Sequence, residues 1–306
     1  MHFKQIFVNR YSEVRVGWRL LSFVALLLVS VGLIQLLVQV IGFYNDFVAR
    51  ILTLVAALFI SYFLTRVFNR KPFGAFGLSF HPHTLRQFGM GFLLGFLMIS
   101  GIFLVEWMSG YAQISWRGFG PLQAVGTIAF SFFYFGVAAS LEEVVFRGYF
   151  FQTLIQWITF LPATLVISVL FAYGHLVNPH AAAFGLVNVA LASVWLSVAY
   201  MKTRGLWLPI GLHFAWNFSQ TALYGFPTSG IRFGSYRVFD VVQQGPEWIT
   251  GGAFGPEGGA LATTALVVCT WYILKSEHLK APEGIITLDS VEDLLPKKES
   301  AEERSA

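Results

Sequence analysis

The sequence predicts an all-α fold, a polytopic integral membrane protein with about eight transmembrane helices. Three observations carry that prediction. Hydrophobic residues make up 56% of the 306 residues and charged residues only 12%, where soluble domains carry about 25%. The mean hydropathy is +0.65. The apolar residues gather into runs of membrane-spanning length, separated by short polar, basic or Gly/Pro-broken stretches.

Residues 1–15 are polar and basic, with Lys4, Arg10 and Arg15. The first apolar segment, 16–44, is long enough to span with tilt. It is too long for a signal-peptide core and lacks a persuasive small-residue cleavage site, so it is expected to be retained. After Asn45-Asp46 a second span runs over 47–68. Residues 69–83 read as a basic interfacial loop whose His81 and His83 are solvated surface side chains. A third span covers 88–108, and 109–121 is a loop with Trp116 and Arg117. One long helix is expected over 122–156, ended before Pro162 because proline cannot continue a helix. A shorter apolar helix, 163–175, breaks at Asn178-Pro179-His180. Spans 184–201 and 206–224 follow. Residues 225–259 are rich in glycine and aromatics and too polar to span, and 260–274 is the last span.

These segments group into an N-terminal three-span region (1–121), a core carrying polar motifs (122–224), an outer loop with the last span (225–274), and a tail (275–306). The tail is charged and Pro/Glu/Ser-rich, which predicts disorder. Loop charges predict that both termini are cytoplasmic. Arg66, Arg70, Lys71, Arg86, Lys202, Arg204, Lys275 and Lys280 fall on one side, against Arg117, Arg232 and Arg237 on the other. The net charge of +4 therefore speaks to topology, and no basic stretch interleaved with aromatics suggests nucleic acid. The single cysteine, Cys269, excludes an intrachain disulfide and reads as a packing residue. There is no internal repeat and no glycine-rich phosphate loop.

The chain's chemistry concentrates in Leu141-Glu142-Glu143-Val144-Val145-Phe146-Arg147, which follows a charge-free run. An ionisable group at membrane depth costs roughly 2.5–3.5 kcal/mol on insertion scales, so it calls for a reason. On a helix, Glu143 and Arg147 share a face in the favoured acid-before-base order, which predicts a structural ion pair. Glu142 points about 100° away and is left free for chemistry. Two further motifs lie in apolar helices: Phe171 to His175, and His213 to Asn217, whose i, i+4 spacing puts two hydrogen-bond donors on one face. Asn188 and Ser193 read as interhelical hydrogen-bond glue.

A carboxylate, two imidazoles and a carboxamide converging on one pocket would suit water activation and oxyanion stabilisation. Intramembrane Glu and His also mark transporters and proton relays, which is the rival class, and a catalytically silent scaffold is a third. Neither a serine elbow nor a His-Glu-x-x-His zinc motif is present.

At these residues the sequence resembles the CAAX protease and bacteriocin-processing family of intramembrane endopeptidases, also called Abi. The family pattern Glu-Glu-x-x-x-Arg, Phe-x-x-x-His and His-x-x-x-Asn stands here as Glu142-Glu143 to Arg147, Phe171 to His175, and His213 to Asn217. The resemblance covers about 122–224. It implies that Glu142 and His175 activate water and that His213 with Asn217 forms the oxyanion hole. It implies a peptide or protein substrate within or at the bilayer, and a bacterial inner-membrane location. No cofactor is favoured. Zinc is the alternative, because two histidines and a glutamate could make a His₂Glu site. That reading would take His213 away from the oxyanion and leave Asn217 idle.

Overall fold

The computed structural model describes residues 4–8, 13–42 and 45–290. Arg10, the end of the first predicted span and residues 291–306 lie outside the described residues. The helices are α1 (Lys4–Phe7), α2 (Val16–Ile41), α3 (Asp46–Leu64), α4 (Thr84–Met108), α5 (Pro121–Arg147), α6 (Tyr149–Ile158), α7 (Phe160–Gly174), α8 (Ala183–Thr203), α9 (Trp207–Phe218), α10 (Glu247–Thr250) and α11 (Ala260–Lys275). The fold is mostly helical, as the sequence predicts, and the chain is an integral membrane protein by the apolarity of its long helices.

Among the described residues, five helical stretches are long and apolar enough to cross a membrane: Val16–Ile41, Asp46–Asn69, Thr84–Met108, Pro121–Ile158 and Ala183–Thr203. The expected count of about eight is thus not confirmed. Phe160–Gly174 and Ala260–Lys275 have 15 and 16 residues, roughly 22–24 Å at 1.5 Å per residue, short of a 30 Å hydrocarbon core. Helix α9 has only 12 residues, extended by a π-helical turn over Ser219–Leu223. Apart from His213 and Asn217 it is apolar, and it is buried along nearly its whole length, as a helix in the centre of a bundle must be.

Close packing of α4 on α9 fixes that central helix. Gly91 and Gly95 of α4 lie against the Leu208 and Leu212 carbonyls, and Gly211 of α9 lies against the Phe88 carbonyl. A Cβ at any of the three would overlap backbone, so the absence of side chains lets the two helices touch. This interface sets the height and rotation of His213 and Asn217.

Three expectations about boundaries are corrected. The single helix over 122–156 is broken at Gly148, whose backbone (φ −74°, ψ −123°) leaves the helical region. A Cβ there would overlap the Val144 carbonyl. Pro162 does not stop a helix but sits in the first turn of α7, where a proline costs no hydrogen bond. The stop is instead Thr159, at positive φ. The tail is also not disordered throughout. Residues up to 290 fold back, with Leu279 and Leu288 buried. Asp289 is held by Arg204 at 2.5 Å and by the Tyr200 hydroxyl at 2.6 Å.

The loop over 225–259 is more ordered than its composition suggests. Its strand β2 (Phe239–Gln243) pairs antiparallel with β1 (Ala112–Trp116) from the 109–121 loop. Its glycines permit turns, and Gly230 at φ +82° packs against the Pro179 carbonyl.

Candidate active site

Helix α5 delivers Glu142 and Glu143 to different surroundings. Glu143 and Arg147 are fully buried, and Arg147 Nη1 donates to Glu143 Oε1 at 3.1 Å. Arg147 Nη2 also donates to the Ser193 hydroxyl of α8 at 2.7 Å. The face of the guanidinium lies 4.6 Å from the Phe171 ring centre. A buried ion pair survives desolvation only with such extra partners. Ser193 is thus glue, as expected, and so is Asn188. Its amide donates to the Glu257 and Gly259 carbonyls, and its oxygen accepts from Thr263.

Glu142, one i+1 step away, keeps a side chain 30% exposed. It has no partner on its own helix. Across the bundle, His213 Nε2 stands 3.7 Å from Glu142 Oε2, while His213 Nδ1 donates to Glu143 Oε1 at 2.9 Å. Because Glu143 is already bound by the Arg147 cation, it is an acceptor, which assigns the proton to His213 Nδ1. Glu143 therefore orients the imidazole and leaves Nε2 turned towards Glu142.

His175 caps the C-terminal end of α7. Its Nδ1 lies 2.8 Å from the Phe171 carbonyl, which can only accept, so Nδ1 carries the hydrogen and Nε2 remains a free acceptor. Phe171 thus acts twice: its carbonyl sets the His175 tautomer and its ring covers Arg147. Glu142, His175, His213 and Asn217 all line one cavity of about 340 Å³, within the size range of small-ligand pockets. Glu143 and Arg147 stand behind its wall. The side chains come from α5, the C-terminal end of α7 and α9, and they meet at one cavity.

Sequence reading missed other residues of the cavity. Arg50 of α3 lines it, as do Thr228, Ser229 and Glu257 of the 225–259 loop. Glu257 accepts from the Trp216 indole at 3.1 Å and from the Ser229 hydroxyl at 2.7 Å, with a further short bond from the Ser229 amide. These bonds tie the loop to α9 beside Asn217. Arg50 stands near the start of the second span, one turn after Asp46, where i, i+4 spacing predicts the ion pair that forms. The loop residues carry no such signal.

Among the described residues, no three or more His, Cys, Asp or Glu side chains are grouped to hold a metal ion. Both histidines have committed Nδ1, to Phe171 and to Glu143. Comparison with known proteins finds no match among curated proteins and none among solved structures. Residues 124–219, which include Glu142, His175, His213 and Asn217, match the family model described as type II CAAX prenyl endopeptidase Rce1-like, in agreement with the CAAX protease resemblance of the three motifs.

Proposed function

We propose that the chain is an intramembrane endopeptidase that hydrolyses a peptide bond with water activated by Glu142 and His175. The observation that carries this reading is the meeting of Glu142, His175, His213 and Asn217 in one cavity within the family-matched segment. A water between Glu142 and His175 finds an acceptor for each hydrogen, the Glu142 carboxylate and His175 Nε2. Its lone pair then faces the scissile carbonyl. Glu142 takes the proton as the C–O bond forms, and the carbonyl becomes a tetrahedral oxyanion. Asn217 Nδ2–H and His213 Nε2–H donate to that oxygen. With Nδ1–H given to Glu143, His213 can donate from Nε2 only when it carries both protons, with Glu143 as counter-charge throughout and Glu142 until it takes the water's proton. Collapse of the intermediate breaks the C–N bond, and Glu142 returns its proton to the departing amine.

The catalysis proposed is metal-free, with a peptide or protein substrate reached at or within the bilayer. The test uses purified protein in proteoliposomes with prenylated and unprenylated peptides, read by mass spectrometry. Cleavage should occur and should persist after exhaustive chelation. Stoichiometric zinc whose removal abolishes cleavage, and whose return restores it, would overturn the metal-free part. Ion or proton flux without cleavage would favour the transporter reading.

The proposal includes both termini on the cytoplasmic side of a bacterial inner membrane. Cysteines placed singly at Lys202, at the end of α8, and at Arg237, in the loop before β2, should be labelled from opposite sides by an impermeant reagent. Labelling of both from the same side would contradict the topology.

A further inference from the structure

We propose that Arg50 forms a subsite on the cavity wall that binds a carboxylate of the peptide substrate. The proposal rests on the peptidase reading and adds a recognition element to it. Arg50 lies outside the family-matched segment, one turn into α3 and after Asp46 of the same helix. It lines the same cavity as Glu142 and His175.

Its guanidinium is held in place. Arg50 Nε donates to Asp46 Oδ2 at 2.8 Å, one turn back on the same helix. Asp46 Oδ2 is fixed in turn by the Tyr134 hydroxyl at 2.6 Å. The Arg50 guanidinium carbon sits over the Tyr134 ring, 5.3 Å from its centre. Nε and one face of the plane are thus used, and among the described residues neither Nη has a hydrogen-bond partner. What remains is a preoriented fork of N–H donors in a cavity walled mainly by apolar side chains. That fork matches a carboxylate.

Asp46 already offsets the charge of Arg50, so the cation is not there to neutralise its own helix. A peptide bringing a carboxylate into this cavity would lose its hydration without compensation unless donors met it. In a peptide, such a group is the free C-terminus or an acidic side chain. Binding of it by Arg50 would fix which bond lies over Glu142.

The experiment uses the full-length protein in nanodiscs with the Glu142→Gln substitution, so that bound peptide is not turned over. The probes are farnesylated Cys-Val-Glu-Met and Cys-Val-Gln-Met, each as C-terminal acid and amide. One carboxylate is expected to tighten binding by about tenfold or more. A preference for acid over amide assigns the C-terminus, and a preference for Glu over Gln assigns the side chain. The preference should vanish on adding Arg50→Gln, and Arg50→Lys should restore part of it. Equal binding of all four peptides, or a preference that persists in Arg50→Gln, overturns the subsite and leaves Arg50 as a counter-charge to Glu142. Cleavage by the unsubstituted protein is measured in parallel. Carboxylate-selective binding without any cleavage would count against the peptidase reading and not against the subsite, and unselective cleavage would do the reverse.

Discussion

Glu142→Gln is expected to lower peptide hydrolysis by about 10³-fold or more while the protein folds and extracts normally. The substitution keeps the size of the side chain and its hydrogen-bonding oxygen. It removes the one property the mechanism needs, the capacity to take a proton from water. Folding should survive because the side chain is partly exposed to the cavity and has no ion-pair partner on its own helix. His213 keeps its stronger anchor to Glu143 at 2.9 Å. The contrast is Glu143→Gln, which should reduce both stability and activity, since that carboxylate holds Arg147 and His213 together. The substituted Glu142 protein should also retain bound substrate, so mass spectrometry of co-purified peptides would identify it. Near-normal hydrolysis by a well-folded Glu142→Gln protein would sink the assignment of Glu142 as the base.

The membrane class was legible because it depends on composition, which needs no knowledge of packing. The number of full spans was not. Apolar runs of similar hydropathy are indistinguishable in sequence whether they face lipid or protein. Helix α9 reads as a span, yet it is a short helix enclosed by its neighbours. The break at Gly148 was also hidden, because a glycine in a helical run is tolerated or bent according to what packs against it. The docking of residues 285–290 depends on Arg204, Tyr200 and Asp289, which lie far apart in sequence and announce no pairing.

The site was legible where chemistry and helical spacing coincide. The i, i+4 rule separated Glu143 from Glu142, and the bond from Arg147 to Glu143 follows it. Spacing along one helix could not reveal what His213 meets on another. Its imidazole lies between the two carboxylates, touching Glu143 and facing Glu142. Nor could it reveal that Phe171 covers Arg147 or that Glu257 anchors the loop over 225–259. These are contacts of tertiary origin, set by the close approach of α4 to α9 and by the turn at Thr159.

Arg147→Ala is expected to destabilise the protein by about 3–5 kcal/mol, because it strands a buried carboxylate. Arg147 makes the 3.1 Å bond to Glu143, the 2.7 Å bond to Ser193 and the contact with the Phe171 ring. Without it, the fully buried Glu143 keeps only His213 as a partner. Thermal unfolding in detergent, followed by tryptophan fluorescence, should show a clear drop in Tm together with a lower yield. Arg147→Lys should fall between, since an ammonium cannot reproduce the planar fork that meets Glu143 and Ser193 together. The double substitution Glu143→Gln with Arg147→Met separates structure from chemistry. It removes both buried charges, and replacing a buried pair by neutral groups is often no loss of stability. Much of the Tm should return, while activity stays low because His213 has lost its charged anchor. An unchanged Tm in Arg147→Ala would refute the structural role of the pair.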